Sequence, residues 1–253
     1  MDILTSKQDG VLHIEFNRPD KKNAITAAMY QTMTDALKDA DADASVRAIL
    51  FSGKPQIFTA GNDLEDFLKN PPTSDSAPVF QFLWNLSHAT KPIVAAVSGA
   101  AVGIGTTLLM HCDLVYAADN AKFSLPFAQL GVCPEAASSL LFPNIVGYQR
   151  AAEKLMLGEV FLADEAREMG LVNQVVALDE LQAFATQQAA KLVALPASSI
   201  RMTKRLMKHN MNVIETQMAE EAKHFRTMLS APEAKEAFTA FFEKRKPDFK
   251  KFA

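Results

Sequence analysis

The sequence is poor in cysteine, holds no apolar run long enough for a membrane, and carries no excess of positive charge. Two cysteines, Cys112 and Cys133, in 253 residues make neither a disulfide framework nor a metal-ligand set, and the expected setting is reducing. With 26 Lys and Arg against 29 Asp and Glu, the formal net charge is −3, which offers no field to a nucleic acid. No stretch approaches the roughly 20 apolar residues of a spanning helix. The opening residues, MDILTSKQDG, are strand-like and lack the basic-then-apolar order of a signal peptide. The final Lys250-Lys251-Phe252-Ala253 is not a peroxisomal address. These absences together lead to the expectation of a cytoplasmic protein with neither nucleic acid nor membrane among its partners. Short helical repeats and low-complexity tracts are missing too. The five histidines, His13, His88, His111, His209 and His224, adjoin no Ser or Cys in a nucleophile motif, which argues against a His-based hydrolase.

What is present is a large supply of core. Hydrophobic residues make up 49% of the chain, enough for one large domain, or one domain with an appendage. Asp9-Gly10 between Ile3–Thr5 and Val11–Phe16 predicts a hairpin. Thr26 is placed to cap a helix whose Met29, Met33, Ala36, Leu37 and Ala40 share a face. Continuous apolar runs at 47–52, 93–97 and 114–117 read as buried strands. Between them stand a loop at 58–64 and a Pro-rich, small-polar segment at 70–78, expected to be mobile. A helix striped by Val79, Leu83 and Leu86 follows, then glycines at 99, 103 and 105 leading into another helix. From residue 144 onward helix dominates, apart from a short strand near 173–176. Arg201, Lys204, Arg205 and Lys208 form a basic stripe there, read as a solvated face. Ile214, Met218, Phe225 and Met228 form an apolar one. Alternating strand, turn and helix predict an α/β fold with a layered core.

One carboxylate stands out. Glu135 is the single charged residue between Lys122 and Arg150, set among Leu130, Val132, Leu140, Leu141 and Phe142. Pro134 before it and Ala-Ala-Ser-Ser after it read as a first helical turn. Apolar surroundings would raise its pKa and make it a stronger base. A helix N-terminus would stabilise its anion instead, and Glu in a first turn is common for that reason alone. Both readings stand at this point. Two loops also share a form, strand then small residues then helix start: Ala60-Gly61-Asn62-Asp63-Leu64, and Gly99 to Gly105. Unpaired N–H groups at such points can hold developing negative charge; ordinary turn geometry explains the glycines equally well.

Six pieces in order resemble the crotonase superfamily, the enoyl-CoA hydratases and isomerases, along nearly the whole chain. They are Asn17-Arg18-Pro19 with Asn23-Ala24-Ile25, Phe58 to Leu64, Lys91 to Gly99, Leu130-Gly131 with Pro134, Ala166 to Val172, and Phe242 to Pro247. The resemblance implies a ClpP-like spiral of ββα units over residues 1–195 and a helical trimerisation region over 196–253, assembled as a homotrimer or a dimer of trimers. It implies an acyl-CoA thioester partner whose carbonyl oxygen lies between the backbone N–H groups of Ala60 and Ile104, with no metal or redox cofactor. It also implies CoA contacts from Lys22, Ala24, Asn62, Asp63 and Leu64, with Phe127 and Pro134 beside the acyl group. Lys244 resembles a C-terminal lysine that reaches the CoA phosphate, and reads equally well as a solvated helix end.

The departures carry more than the matches. Family hydratases place two glutamates where this chain has Thr107 and Phe127, and neither replacement can hold and protonate a water. Glu135 instead stands where the Δ3,Δ2-enoyl-CoA isomerase branch, especially its peroxisomal-type members, has its single catalytic acid. The resemblance therefore implies a 1,3-proton shift by Glu135. A hydratase or other acyl-CoA chemistry using Glu135 alone, and a silent acyl-CoA-binding module, remain the alternatives. The depth of the acyl pocket is expected to depend on residues 70–80 and Phe142.

Overall fold

The hairpin forms as Asp9-Gly10 predicts: β1 (Ile3–Gln8) pairs antiparallel with β2 (Val11–Phe16). Asp9 and Gly10 both have positive φ, 49° and 80°, the backbone that a two-residue hairpin loop demands. The computed structural model describes residues 1–54 and 57–252, so Ala253 lies outside the described residues. A short 3₁₀ turn, Pro19–Lys21, precedes α1 (Ala27–Ala42), whose Thr26 hydroxyl accepts the Met29 N–H at 3.3 Å. That cap satisfies one of the helix's orphan donors, and the helix buries Met29, Tyr30, Met33 and Leu37.

Three ββα repeats follow. The first is β3 (Ala48–Gly53), β4 (Ile57–Thr59), α2 (Leu64–Lys69) and α3 (Pro78–His88). The second is β5 (Ile93–Val97), β6 (Ala100–Val102) and α4 (Ile104–Thr107), the last running into a 3₁₀ turn at Leu108–His111. The third is β7 (Leu114–Ala118), β8 (Lys122–Ser124), α5 (Ser138–Val146) and α6 (Tyr148–Leu157). The chain then runs through β9 (Phe161–Leu162), α7 (Ala163–Glu168), β10 (Gln174–Val176), α8 (Leu181–Ala194) and α9 (Ala197–Met207). It ends with α10 (Met211–Leu229) and α11 (Pro232–Phe242).

The two strands of each repeat go to different sheets. One sheet has the order β1-β2-β3-β5-β7-β10, parallel after the hairpin; the other has the order β4-β6-β8-β9. This is the α/β spiral that the sequence led us to expect. The second sheet was not anticipated, because strands of two or three residues show no periodicity.

The central strands of the larger sheet, β3, β5 and β7, are apolar on both sides because both faces are covered. Ala48 and Leu50 of β3, Val94 and Ala96 of β5, and Tyr116 and Ala118 of β7 pack beneath Leu181, Ala185 and Ala189 of α8. The alternate residues, Ile49, Phe51, Ile93, Ala95, Val97 and Val115, join the main core with α1 and α3. The strand-to-helix turns of successive repeats thus come to one side of a rigid double layer. That is where the candidate residues gather.

Candidate active site

The two strand-turn-helix loops meet in backbone contact. Gly61 has φ +89°, and a Cβ there would lie 2.8 Å from the Val102 carbonyl oxygen, so only glycine lets this loop lie against the end of β6. A Cβ on Gly105 would stand 2.6 Å from the Thr59 methyl, which brings the start of α4 equally close. A cavity of about 470 Å³ opens over this junction. Lys22, Ala24, Ala60, Asn62, Asp63, Leu64, Ile104 and Phe127 all line it, with Phe67, Phe225, Phe238, Phe241 and Phe242 supplying apolar wall. Of the predicted binding residues, Pro134 and Lys244 do not line it.

The backbone donors differ from expectation. The Ala60 N–H donates to the Lys22 carbonyl at 3.0 Å, so it is already engaged, because Lys22 turns back at φ 54° and delivers that oxygen. The Gly61 N–H donates to the Thr59 hydroxyl at 3.1 Å. Ile25 then clasps both sides of Asn62, donating to the Gly61 oxygen at 2.8 Å and accepting from the Asp63 N–H at 2.9 Å. This leaves the N–H of Asn62 itself without an acceptor among the described residues, and the same holds for Ile104 at the start of α4. The corrected pair of available donors is therefore Asn62 and Ile104. Asn62 is fixed further by its side-chain oxygen, which accepts the hydroxyl of the buried Tyr30 at 2.5 Å. Asp63 is occupied structurally: it caps α2 through Glu65 and Asp66 and pairs with Arg18 at 2.7 Å.

Glu135 is buried, 5% exposed, but it does not sit in a helix. Ala136 and Ala137 both have positive φ, 61° and 55°, a conformation costing about 1–2 kcal/mol for each non-glycine residue. The helix therefore starts only at Ser138, and Glu135 lies in the turn before it, its carbonyl accepting the Ser138 N–H at 3.0 Å. This settles the competition left open above. The donors at the start of α5 go to Glu221 of α10, which accepts the Ala137 N–H at 2.6 Å and the Ser139 N–H at 3.0 Å. Among the described residues the Glu135 carboxyl receives only a 3.2 Å bond from the Thr107 hydroxyl. Burial accordingly pushes its carboxyl up to about 8, Thr107 opposing and the nearby Glu221 adding to the rise.

Glu135 lines a neighbouring cavity of about 290 Å³, whose apolar wall includes Phe80, Leu83, Trp84, Met218 and Phe225. Phe225 lines both cavities. Asp75 and Phe80, from the segment expected to set the depth, line this one, with Asp75 paired to Arg226 at 2.6 Å. Phe142 does not: it is fully buried against Phe161.

Other residues singled out in the sequence lie elsewhere. Lys244 is exposed, at a left-handed turn after α11. The basic stripe is not simply solvated: Lys204 is 4% exposed and pairs with Asp113 at 2.7 Å. It lines, with Arg201, Arg205 and Lys208, a cavity of about 530 Å³ against the end of α3. His111 donates its Nε2–H to the Ala136 carbonyl at 2.8 Å, since burial drives its pKa down to about 3 and keeps the ring neutral. Glu221, His111, Tyr30 and Phe225 belong to the site and were missed as members of it. Only the apolar stripe containing Phe225 hinted at any of them.

Comparison with known proteins agrees with this arrangement. The family model described as enoyl-CoA hydratase/isomerase matches residues 6–252. "Enoyl-CoA delta isomerase 2" of Rattus norvegicus is 38% identical over 214 residues, 82% of this chain and 54% of that protein, so the chain spans about half the length of that relative. "2,3-dehydroadipyl-CoA hydratase" of Escherichia coli is 30% identical over 251 residues, 98% of each chain. The crystal structure of an enoyl-CoA hydratase/isomerase from Pseudoalteromonas atlantica superposes with a TM-score of 0.95 at 39% identity, covering 98% of this chain and 100% of that one. Isomerase and hydratase names both occur among the relatives, so family membership leaves the reaction open. The strand pairs divided between two sheets, the two loops meeting over one cavity and this match along nearly the whole chain lead to one conclusion: the protein belongs to the enoyl-CoA hydratase/isomerase family, within the crotonase superfamily.

Proposed function

We propose that the protein is a Δ3,Δ2-enoyl-CoA isomerase, converting 3-enoyl-CoA to trans-2-enoyl-CoA in the degradation of unsaturated acyl chains. The observation that carries this reading is Glu135, a buried carboxyl with no cationic partner among the described residues, raised to about 8 beside an apolar cavity. Such a group is a base strong enough to take a proton from the carbon next to a thioester near neutral pH.

In this reading the CoA moiety occupies the loop cavity and the acyl chain passes Phe225 into the Glu135 cavity. Ionised Glu135 takes a proton from C2. The C–H electron pair becomes the π bond between C1 and C2 of a dienolate, and the carbonyl π pair moves onto oxygen. The N–H groups of Asn62 and Ile104 hold that oxygen as its charge grows. Protonated Glu135 then returns the proton at C4; the C3–C4 π pair forms the new C–H bond, the double bond comes to rest between C2 and C3, and the carbonyl re-forms. One base serves because the two carbons are the ends of a three-carbon unit. The step balances without metal or redox cofactor, and Phe127 and Phe225 keep water from the dienolate.

Hydration is the weaker reading, since Thr107 and Phe127 stand where hydratases carry their acids. A homotrimer or dimer of trimers is the proposed assembly. The exposed apolar residues Tyr148, Met156 and Leu157 of α6, with Val160 and Leu162 after it, support a subunit contact.

The test is ultraviolet detection of conjugation from 3-hexenoyl-CoA. Turnover by the wild type that Glu135→Gln lowers by at least about 10²-fold bears the proposal out. Hydration of crotonyl-CoA without isomerisation, or CoA binding with neither reaction, overturns it.

A further inference from the structure

We infer that Glu221 of α10 is a positioning residue for the reaction: it holds the left-handed turn at Ala136–Ala137 that aims Glu135 into its cavity. The inference rests on the reading of Glu135 as the base. Glu221 is 5% exposed, and no cation pairs with it among the described residues. Its carboxylate instead takes donors from the segment following Glu135. One oxygen accepts the Ala137 N–H at 2.6 Å; the other accepts the Ser139 N–H at 3.0 Å and the Ser139 hydroxyl. Gln217, one turn earlier on α10, donates to the same hydroxyl at 2.8 Å.

Two consecutive alanines at positive φ do not hold themselves. The conformation is unfavourable for any residue with a Cβ and persists only where its surroundings enforce it. His111 fixes the turn from one side through the Ala136 carbonyl, and Glu221 from the other through the Ala137 N–H. Without these clamps, Ala-Ala-Ser-Ser would continue α5 backward by propensity, and Glu135 would rotate with the added turn.

The choice of carboxylate is informative. All three donors could be met by water or by a polar neutral side chain at lower desolvation cost. A carboxylate with no cation also places a negative charge near Glu135, and that charge favours the protonated form of Glu135. The other groups around Glu135 are Thr107 and neutral His111 from the second repeat, Tyr30 of α1, Cys133 of its own segment, and Asp75, Glu215 and Arg226 at its cavity. Asp75 and Arg226 neutralise each other, and Glu215 is hydrogen-bonded to His88. Glu221 is thus the charge built into the same turn.

Glu221→Gln separates the two effects from simple folding. A glutamine can present only one oxygen, so a buried N–H, on Ala137 or Ser139, faces an amide NH₂. We expect the plateau kcat for 3-hexenoyl-CoA to fall about 10²-fold, the scale of a 1 Å misplacement, with KM within about threefold. The acid limb of kcat/KM should move to lower pH. An unchanged plateau kcat overturns the inference even if Tm falls, because a purely structural cap would alter only stability. If Glu221→Gln does not fold, Ser139→Ala, which removes one of the three bonds, should lower kcat several-fold; an unchanged kcat overturns it as well. Loss of activity in the wild type on any 3-enoyl-CoA would refute the isomerase reading instead, so the two failures are distinguishable.

Discussion

Two carboxylates withdrawn from solvent, Glu135 and Glu236, show how surroundings divide one residue type between two uses. Glu236 on α11 is 8% exposed. It accepts from Arg245 at 2.6 Å, Lys251 at 2.7 Å and the Asp248 N–H at 2.9 Å. Those partners, Arg245 foremost, hold its carboxyl well below the usual range. Glu135 is as little exposed but lies deep in the protein, with no cation beside it among the described residues, and burial raises it to about 8. The first ties a tail back onto a helix; the second is left able to take a proton. Desolvation without a counter-charge makes the chemical carboxylate, and counter-charge close to the surface makes the structural one.

The largest expected effect removes the reactive member of the pair. Glu135→Gln keeps the shape and should lower kcat for isomerisation by about 10²–10⁴-fold, the usual contribution of a positioned base. In the wild type only ionised Glu135 can accept the C2 proton, so kcat/KM should climb about tenfold per pH unit below about 8 and level off above it. The Gln variant should show residual activity without that slope, which a stopped pH series on the same substrate measures.

Stability should respond in the opposite sense at the two sites. Glu135 is harder to ionise folded than unfolded, so its contribution is fully present below about 4.5 and is lost as pH rises through about 8. Glu135→Gln should therefore melt above the wild type at pH 9, by an amount corresponding to a few kcal/mol, and lose that advantage at pH 4. Glu236 is the reverse: its depressed pKa gives stability that is present above the unfolded carboxylate range and lost as pH falls through the folded value. Glu236→Gln should lower Tm at pH 7, with the deficit closing in acid, and should leave kcat within about twofold. Parallel melting curves across pH check both signs.

The parts of this comparison were unequally legible. Glu135 could be found because no other charge lies near it in the chain, and the middle of the larger sheet because β3, β5 and β7 are largely apolar strands of five or six residues. The smaller sheet could not, since two or three residues carry no period. Ala-Ala-Ser-Ser read as helix because local propensity favours it, and the clamp that overrides it comes from Glu221, 84 residues beyond Ala137. Within α10 that residue follows Glu220 and reads as part of a charged face. Ala60 was misassigned as a donor because nothing local shows that Lys22 delivers its carbonyl there. Lys204 read as solvated because Asp113, its partner, is 91 residues away. What escaped was long-range and polar; what was visible was local and apolar.

The smallest expected effect sharpens the comparison most. Among the described residues Thr107 provides Glu135 with its single hydrogen bond from another side chain, at 3.2 Å, a faint version of what Arg245 and Lys251 do for Glu236. A hydroxyl donating to a carboxylate favours the ionised form, so Thr107→Val should raise the Glu135 pKa further. The acid limb of kcat/KM then moves to higher pH, by about 1 on the pH scale for a bond at the weak end of those made to charged groups. Valine keeps nearly the same shape in this fully buried position, and on the plateau Glu135 is ionised in both enzymes, so the plateau kcat should change little. Glu221→Gln should move the same limb the other way. Opposite displacements by two substitutions flanking one carboxyl would mark Glu135 as the group being titrated. A limb that moves with neither belongs to another residue, and the contrast with Glu236 would then say nothing about catalysis.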